Sequence, residues 1–196
     1  MKLNEKKMDT WEEPVYERTK RSAETYDATT KYITSRLKRL VFDYKQTKLI
    51  AEMSTVPQSD LQVLRLIRDE IEHNLRRYHG YSIKGSIGAH YKQVGIEKGI
   101  FEHMVPVNTI RNLLIDEYIT PWQACNMPTC LLSKQNDLLL RKNGLVSSTP
   151  SIYKFWRRYE KAFVCDGNFK THDGKHIDTK QFNLNDHFKL FGGAHV

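Results

Sequence analysis

Residues 98–114 read KGIFEHMVPVNTIRNLL. What this run becomes decides the fold. Its first part, GIFEHMVPV (99–107), is rich in Ile, Phe and Val between polar neighbours, which predicts a short strand. Pro106 has no amide hydrogen to give a ladder, so the strand lies at a sheet edge or ends there. Inside this apolar run Glu102 and His103 stand side by side. Taking a carboxylate or an unpaired imidazole out of water is costly. The pair is therefore either satisfied by neighbours or kept for chemistry.

Downstream, Asn108 is placed to cap a helix over TIRNLLIDEYI, with Ile110, Leu113, Leu114 and Tyr118 on its apolar face. Thr120-Pro121 closes that helix. PWQACNMP (121–128) reads as a turn or one helical turn, and TCLL (129–132) as a second short strand. Ser133 is the expected N-cap of a helix through SKQNDLLLRKNG, with Gly144 just past its end. The predicted order is strand, inserted helix, strand, helix.

Upstream, residues 21–53 predict a long helix with Ile33, Leu37, Leu40 and Tyr44 on one face. Pro57 is read as the break and Ser59 as the cap of a second helix, from Asp60 to about Tyr78. Its stripe is Leu64, Ile67, Ile71, Leu75 and Tyr78. Residues 79–95, HGYSIKGSIGAHYKQVG, hold four glycines and read as a loop with short strands. Lys84 and Lys92 there are candidate phosphate contacts. After the centre, SIYKFWRRYEKAF (151–163) interleaves aromatics with cations, a composition that suits stacking and phosphate pairing. An ordinary helix with buried aromatics accounts for it as well. The tail carries His172, Asp173, His176, Asp178, Asp186, His187 and His195. A DGKH turn spoils helical spacing for His172 and His176, so the whole set is read as surface residues. LFGGAHV is expected to be a loose end.

The chain has 196 residues and a formal net charge of +8. That is long enough for a real core. The charge favours an anionic partner, most often nucleic acid, over a merely soluble basic protein. Three cysteines, none in a CxxC pair, argue against a disulfide framework or a Cys-ligated zinc. No GxGxxG or Walker pattern is present. The start, MKLNEKKMDTWEEP, has no apolar core of a signal peptide. No apolar run reaches the ~18–20 residues of a membrane span. The expectation is a cytoplasmic protein, with no membrane partner.

EHMVPV, TCLLSKQNDLLLRKNGL and FWRRYEKAF together resemble the HNH-like nucleases often encoded by bacteriophages, within the ββα-metal superfamily. The resemblance covers residues 99 to about 163. It implies an α+β fold, mostly helical, with a small two-stranded β-hairpin and helix as its core. It also implies a metal-dependent DNA endonuclease using Mg²⁺ or Mn²⁺, in the host cytoplasm if phage-encoded. Carried over, His103 is the general base and Asn126 the residue that orients it. Glu102 and Asn136 are the metal ligands, with Asp137 a rival to Asn136. An imidazole can take a proton from water near neutral pH, and hard oxygen donors suit Mg²⁺. For Glu102 and His103 to share a site, the strand must end or bulge between them, because strand neighbours alternate faces.

The expected organisation is a helical region over 1–92, a nuclease core over 93–163 and an extension over 164–196. Arg141, Lys142, Arg157 and Arg158 are candidate nucleic-acid contacts. A non-catalytic nucleic-acid-binding protein and a structural protein are the alternatives from other classes.

Overall fold

The computed structural model describes residues 23–53, 57–80, 89–162, 164 and 168–191. Lys84, Cys165, His195 and most of the expected loose end lie outside them; Leu190 and Phe191 of that end are instead helical. Two long helices come first, α1 (Ala23–Met53) and α2 (Pro57–Tyr78). Ile33, Leu37 and Leu40 of α1 and Ile71, Leu75 and Tyr78 of α2 are buried in one core, as their spacing predicts. Tyr44 and Ile67 pack against it half-buried, and Thr30 Oγ1 meets Tyr78 Oη at 2.9 Å. One detail is corrected. Pro57 opens α2 rather than breaking the chain before it, so Ser59 lies inside the helix. Proline suits a helix's first turn, where its missing N–H has no partner to lose.

The strands β1 (Tyr91–Gln93), β2 (Ile100–His103), β3 (Thr129–Leu132), β4 (Phe169–Thr171) and β5 (His176–Ile177) form one sheet in the order β2-β3-β1-β4-β5. The β1–β3 pair is parallel and the others are antiparallel. β2 is an edge strand and ends before Pro106, as expected. The two-stranded hairpin is corrected to a five-stranded mixed sheet. The α+β class holds. Strands come from all three stretches into which the sequence reading divided the chain.

Between β2 and β3 lie two helices, α3 (Val107–Ile115) and α4 (Pro121–Cys125). Asn108 does not cap α3. Pro106 holds the cap position, and Asn108 Oδ1 accepts from the next amide, Thr109 N, at 2.9 Å. Tyr118 lies beyond α3 and is 78% exposed, so it is not on the apolar face. Thr120 and Gln123 make a reciprocal capping box on α4. After β3 comes α5 (Lys134–Lys142), capped by Ser133 Oγ, which accepts from Asn136 N at 3.2 Å. It ends in a Schellman motif. Gly144 N donates to Arg141 O, Leu145 N donates to Leu140 O, and Gly144 takes φ +66°. The short α6 (Arg157–Lys161) and α7 (Leu184–Phe191) complete the order. Phe155, Trp156 and Tyr159 are buried, so the aromatics of that stretch are core, while Tyr153 is exposed.

Gly99 sits where β2 begins. A Cβ there would come within 2.9 Å of Leu132 O, so a side chain would push β2 away from β3.

Candidate functional site

β2 passes straight through Glu102 and His103, in register opposite Cys130 and Thr129. No break or bulge separates them, so the two side chains leave on opposite faces. The expected shared site of base and metal ligand is not formed. The strand is long enough to impose its alternation before Pro106 ends it.

Glu102 points to the face that carries α6. Its Oε1 lies 2.7 Å from Arg158 Nη1. Arg158 is fully buried. Its guanidinium donates to four main-chain carbonyls: Leu145 (2.6 Å), Val146 (3.0 Å), His103 (2.6 Å) and Met104 (3.4 Å). Arg158 was expected to reach nucleic acid. It is instead an internal clamp, because each of its three guanidinium nitrogens is engaged inside the protein. Burial raises the Glu102 pKa, against the pull of Arg158; nearby Asp137 raises it and Arg141 lowers it. Asp137 is itself buried and pairs with Arg141 at 2.9 Å. Two carboxylates, Glu102 and Asp137, thus stand close enough to influence each other. Asn136, the expected helix ligand, is half-buried in the first turn of α5, where its main-chain amide serves the Ser133 cap.

His103 points to the other face. Its ring lies 5.5 Å from Phe101, two residues back on the same side, and 5.0 Å from His79 at the end of α2. Burial, then His79, Arg76 and Arg158, hold its pKa well below the usual imidazole range. His79 is fully buried, and its pKa falls to about 4, chiefly from burial. Its Nε2 lies 2.9 Å from Cys125 O. Its Nδ1 and His103 Nε2 are buried with no hydrogen-bond partner among the described residues. The sequence reading passed over His79, placing it at the start of a glycine-rich loop.

The same row of the sheet continues into more imidazole, and His187, expected at the surface, is corrected to a fully buried residue of α7. His90 Nδ1 lies 2.9 Å from Thr129 Oγ1, and the His90 and His187 rings are 4.8 Å apart. His187 Nδ1 meets Tyr91 Oη at 2.7 Å and its Nε2 meets Asn126 O at 2.8 Å. A carbonyl can only accept, so Nε2 carries the proton and Nδ1 accepts from the tyrosine. Asn126 therefore does hold an imidazole, through its main chain, and that imidazole is His187. Its side-chain amide donates to Trp122 O at 2.9 Å.

Glu102 and His103 do not converge on one cation site. Glu102 is bound by Arg158, His103 faces away, and no group of three or more His, Cys, Asp or Glu among the described residues is arranged to hold a metal ion. The remaining candidate cations are at the surface. Lys142 and Arg157 are exposed, Arg141 is exposed but paired, and Lys92 Nζ donates to Glu97 O at 3.1 Å. No helix among the described residues is long and apolar enough to cross a membrane.

Compared with family models, curated proteins and solved structures, the chain gives no match.

Proposed function

We propose that this chain is a nucleic-acid-binding protein in which the strand-borne Glu102 and His103 serve the fold rather than catalysis. One observation carries the reading. Lys134, Lys142, Lys154, Arg157 and Lys161 are all exposed, and no ion pair engages any of them among the described residues. Arg158 ties α6 to the carbonyls just past α5. Tyr153 is exposed in the segment between the two helices. Unpaired cations beside an aromatic suit phosphate contacts and base stacking.

The test is binding of labelled duplex and single-stranded oligonucleotides across a salt series. Affinity should fall linearly on a log–log plot, because phosphate contacts release counterions. Lys142→Ala and Arg157→Ala should each lower the slope by about one. Binding that ignores salt, or none at all, ends the proposal.

A metal-dependent DNA endonuclease is the second reading, for which Glu102 and Asp137, two carboxylates that act on each other electrostatically, are the acidic candidates. In that reading the acidic pair, not His103, holds the cation. Plasmid nicking with Mg²⁺ or Mn²⁺ that Asp137→Asn abolishes supports it. A wild-type protein that never nicks with either metal removes it.

A further inference from the structure

From Tyr153 to Ala162 the chain presents a single face to solvent. Tyr153, Lys154, Arg157, Glu160 and Lys161 are exposed, and every other residue of that stretch is buried. Its first turn is tight. Arg157 N donates to Lys154 O at 3.0 Å and Arg158 N to Phe155 O at 3.3 Å, each three residues back. In α6 the reach lengthens to four, with Ala162 N donating to Arg158 O at 3.2 Å. Side chains three apart eclipse in the tight turn, and side chains four apart are neighbours in the helix. Lys154, Arg157 and Lys161 therefore form one row. Tyr153 stands beside its start, and Glu160, seven residues on, lies on the tyrosine's stripe rather than the lysines'. The segment is held firmly. Tyr153 O accepts from Leu184 N at 2.9 Å, Ser151 Oγ accepts from Lys154 N at 2.9 Å, and Arg158 donates to the carbonyls of Leu145 and Val146. Tyr118 makes a comparison. It is more exposed, 78% against 49%, but it follows Asp116 and Glu117, and Glu117 is paired with Lys45 at 2.6 Å. An exposed ring beside a row of unpaired cations is what sets Tyr153 apart.

We propose, resting on the nucleic-acid reading, that this face is a site for single-stranded nucleic acid. Tyr153 stacks on an unpaired base, and Lys154, Arg157 and Lys161 follow the phosphates of the same strand. In a duplex the neighbouring pairs cover the base faces, and a protein reads base edges in the grooves. A stacking ring needs a base that is free of its neighbours. From Lys154 to Lys161 the row covers about 10 Å of helix, a short length of one backbone. The two stripes separate the contacts. The cations meet the backbone, while the ring and the Glu160 carboxylate lie on the side of the bases, where a carboxylate can accept from a base amino group. Because the segment is fixed before binding, the ring loses little freedom when a base settles on it.

The experiment measures binding of the full chain, by fluorescence anisotropy, to labelled oligo-dT, oligo-rU and a duplex of the same length across a salt series. At least one single strand should bind about tenfold more tightly than the duplex, and the tighter of the two identifies the sugar. Tyr153→Ala should lower that affinity about tenfold and leave the salt slope unchanged, and Tyr153→Phe should keep the affinity, since any aromatic face can stack. Arg157→Ala should instead lower the single-strand slope by about 0.7. Tyr118→Ala should bind as the parent does. NMR of the unsubstituted protein adds a reading that needs no variant to fold: the bound strand should shift the Tyr153 ring protons upfield. Unmoved ring protons, a duplex bound as tightly as either single strand, or a Tyr153→Ala protein that binds like the parent overturns the single-strand site and leaves the salt-dependent reading standing. Failure to bind any of the three nucleic acids ends both.

Discussion

On one side of β2 the Glu102 carboxylate meets a guanidinium whose donors are all committed to the protein. On the other, one residue along, the His103 imidazole meets a second imidazole, and a nitrogen of each lacks a partner. Both faces bury polar groups within the same short strand. The first is closed, with charge and hydrogen bonds balanced. The second is electrically neutral but incomplete. A closed polar cluster anchors a fold and loses heavily when one member is removed, because the others are stranded. An incomplete one loses little, and leaves chemistry available.

The sharpest way to break this contrast is Arg158→Ala. It leaves Glu102 buried without a counter-ion and strands four carbonyls. The expected loss is about 3–5 kcal/mol in denaturant unfolding. A loss below about 1 kcal/mol would mean that Arg158 is no clamp.

Acid should weaken the histidine side next. Burial lowers the His187 pKa to about 4, and puts His90 well below its usual value. The unfolded chain therefore binds protons that the folded one refuses. Stability is fully present above the unfolded pKa of about 6.5 and is lost as pH falls toward 4. His187 alone contributes on the order of 3 kcal/mol to that loss. Thermal melts at pH 7 and pH 5 check the sign, and His187→Gln should flatten the slope.

Gly144→Ala should cost about 1 kcal/mol, since the Schellman turn of α5 needs φ +66° there. Smallest is His103→Phe. It removes an unpartnered nitrogen while keeping a ring against Phe101, so stability should change by less than about 1 kcal/mol. A large loss there would erase the difference between the two faces.

What the sequence made legible was local. TCLL, the Ser133 cap, the Gly144 stop and the stripes of α1 and α2 are set by neighbours within a turn or two, and the structure has them where the spacing put them. β4 and β5 were hidden, and β1 was only a short strand without bounds somewhere in 79–95, because strands of two or three residues show no alternation. The site was hidden for another reason. Glu102 and Arg158 are 56 positions apart, and nothing in either neighbourhood announces the other. The grouping of Glu102 with His103 followed adjacency along the chain, where the pleat sends adjacent side chains apart. His79 carries no local mark at all. Its partner, Cys125 O, is a main-chain atom 46 residues away.

β4 and β5 have a consequence of their own. They join the sheet through β1, and β1 also holds β3. One edge of β1 therefore stays bare until residues 169–171 are in place. A ribosome that stalls before residue 169 releases a β1 with one bare edge, open to strands of other molecules. Truncation from the C-terminus should appear first as aggregation, before any loss of the helical pair at the front.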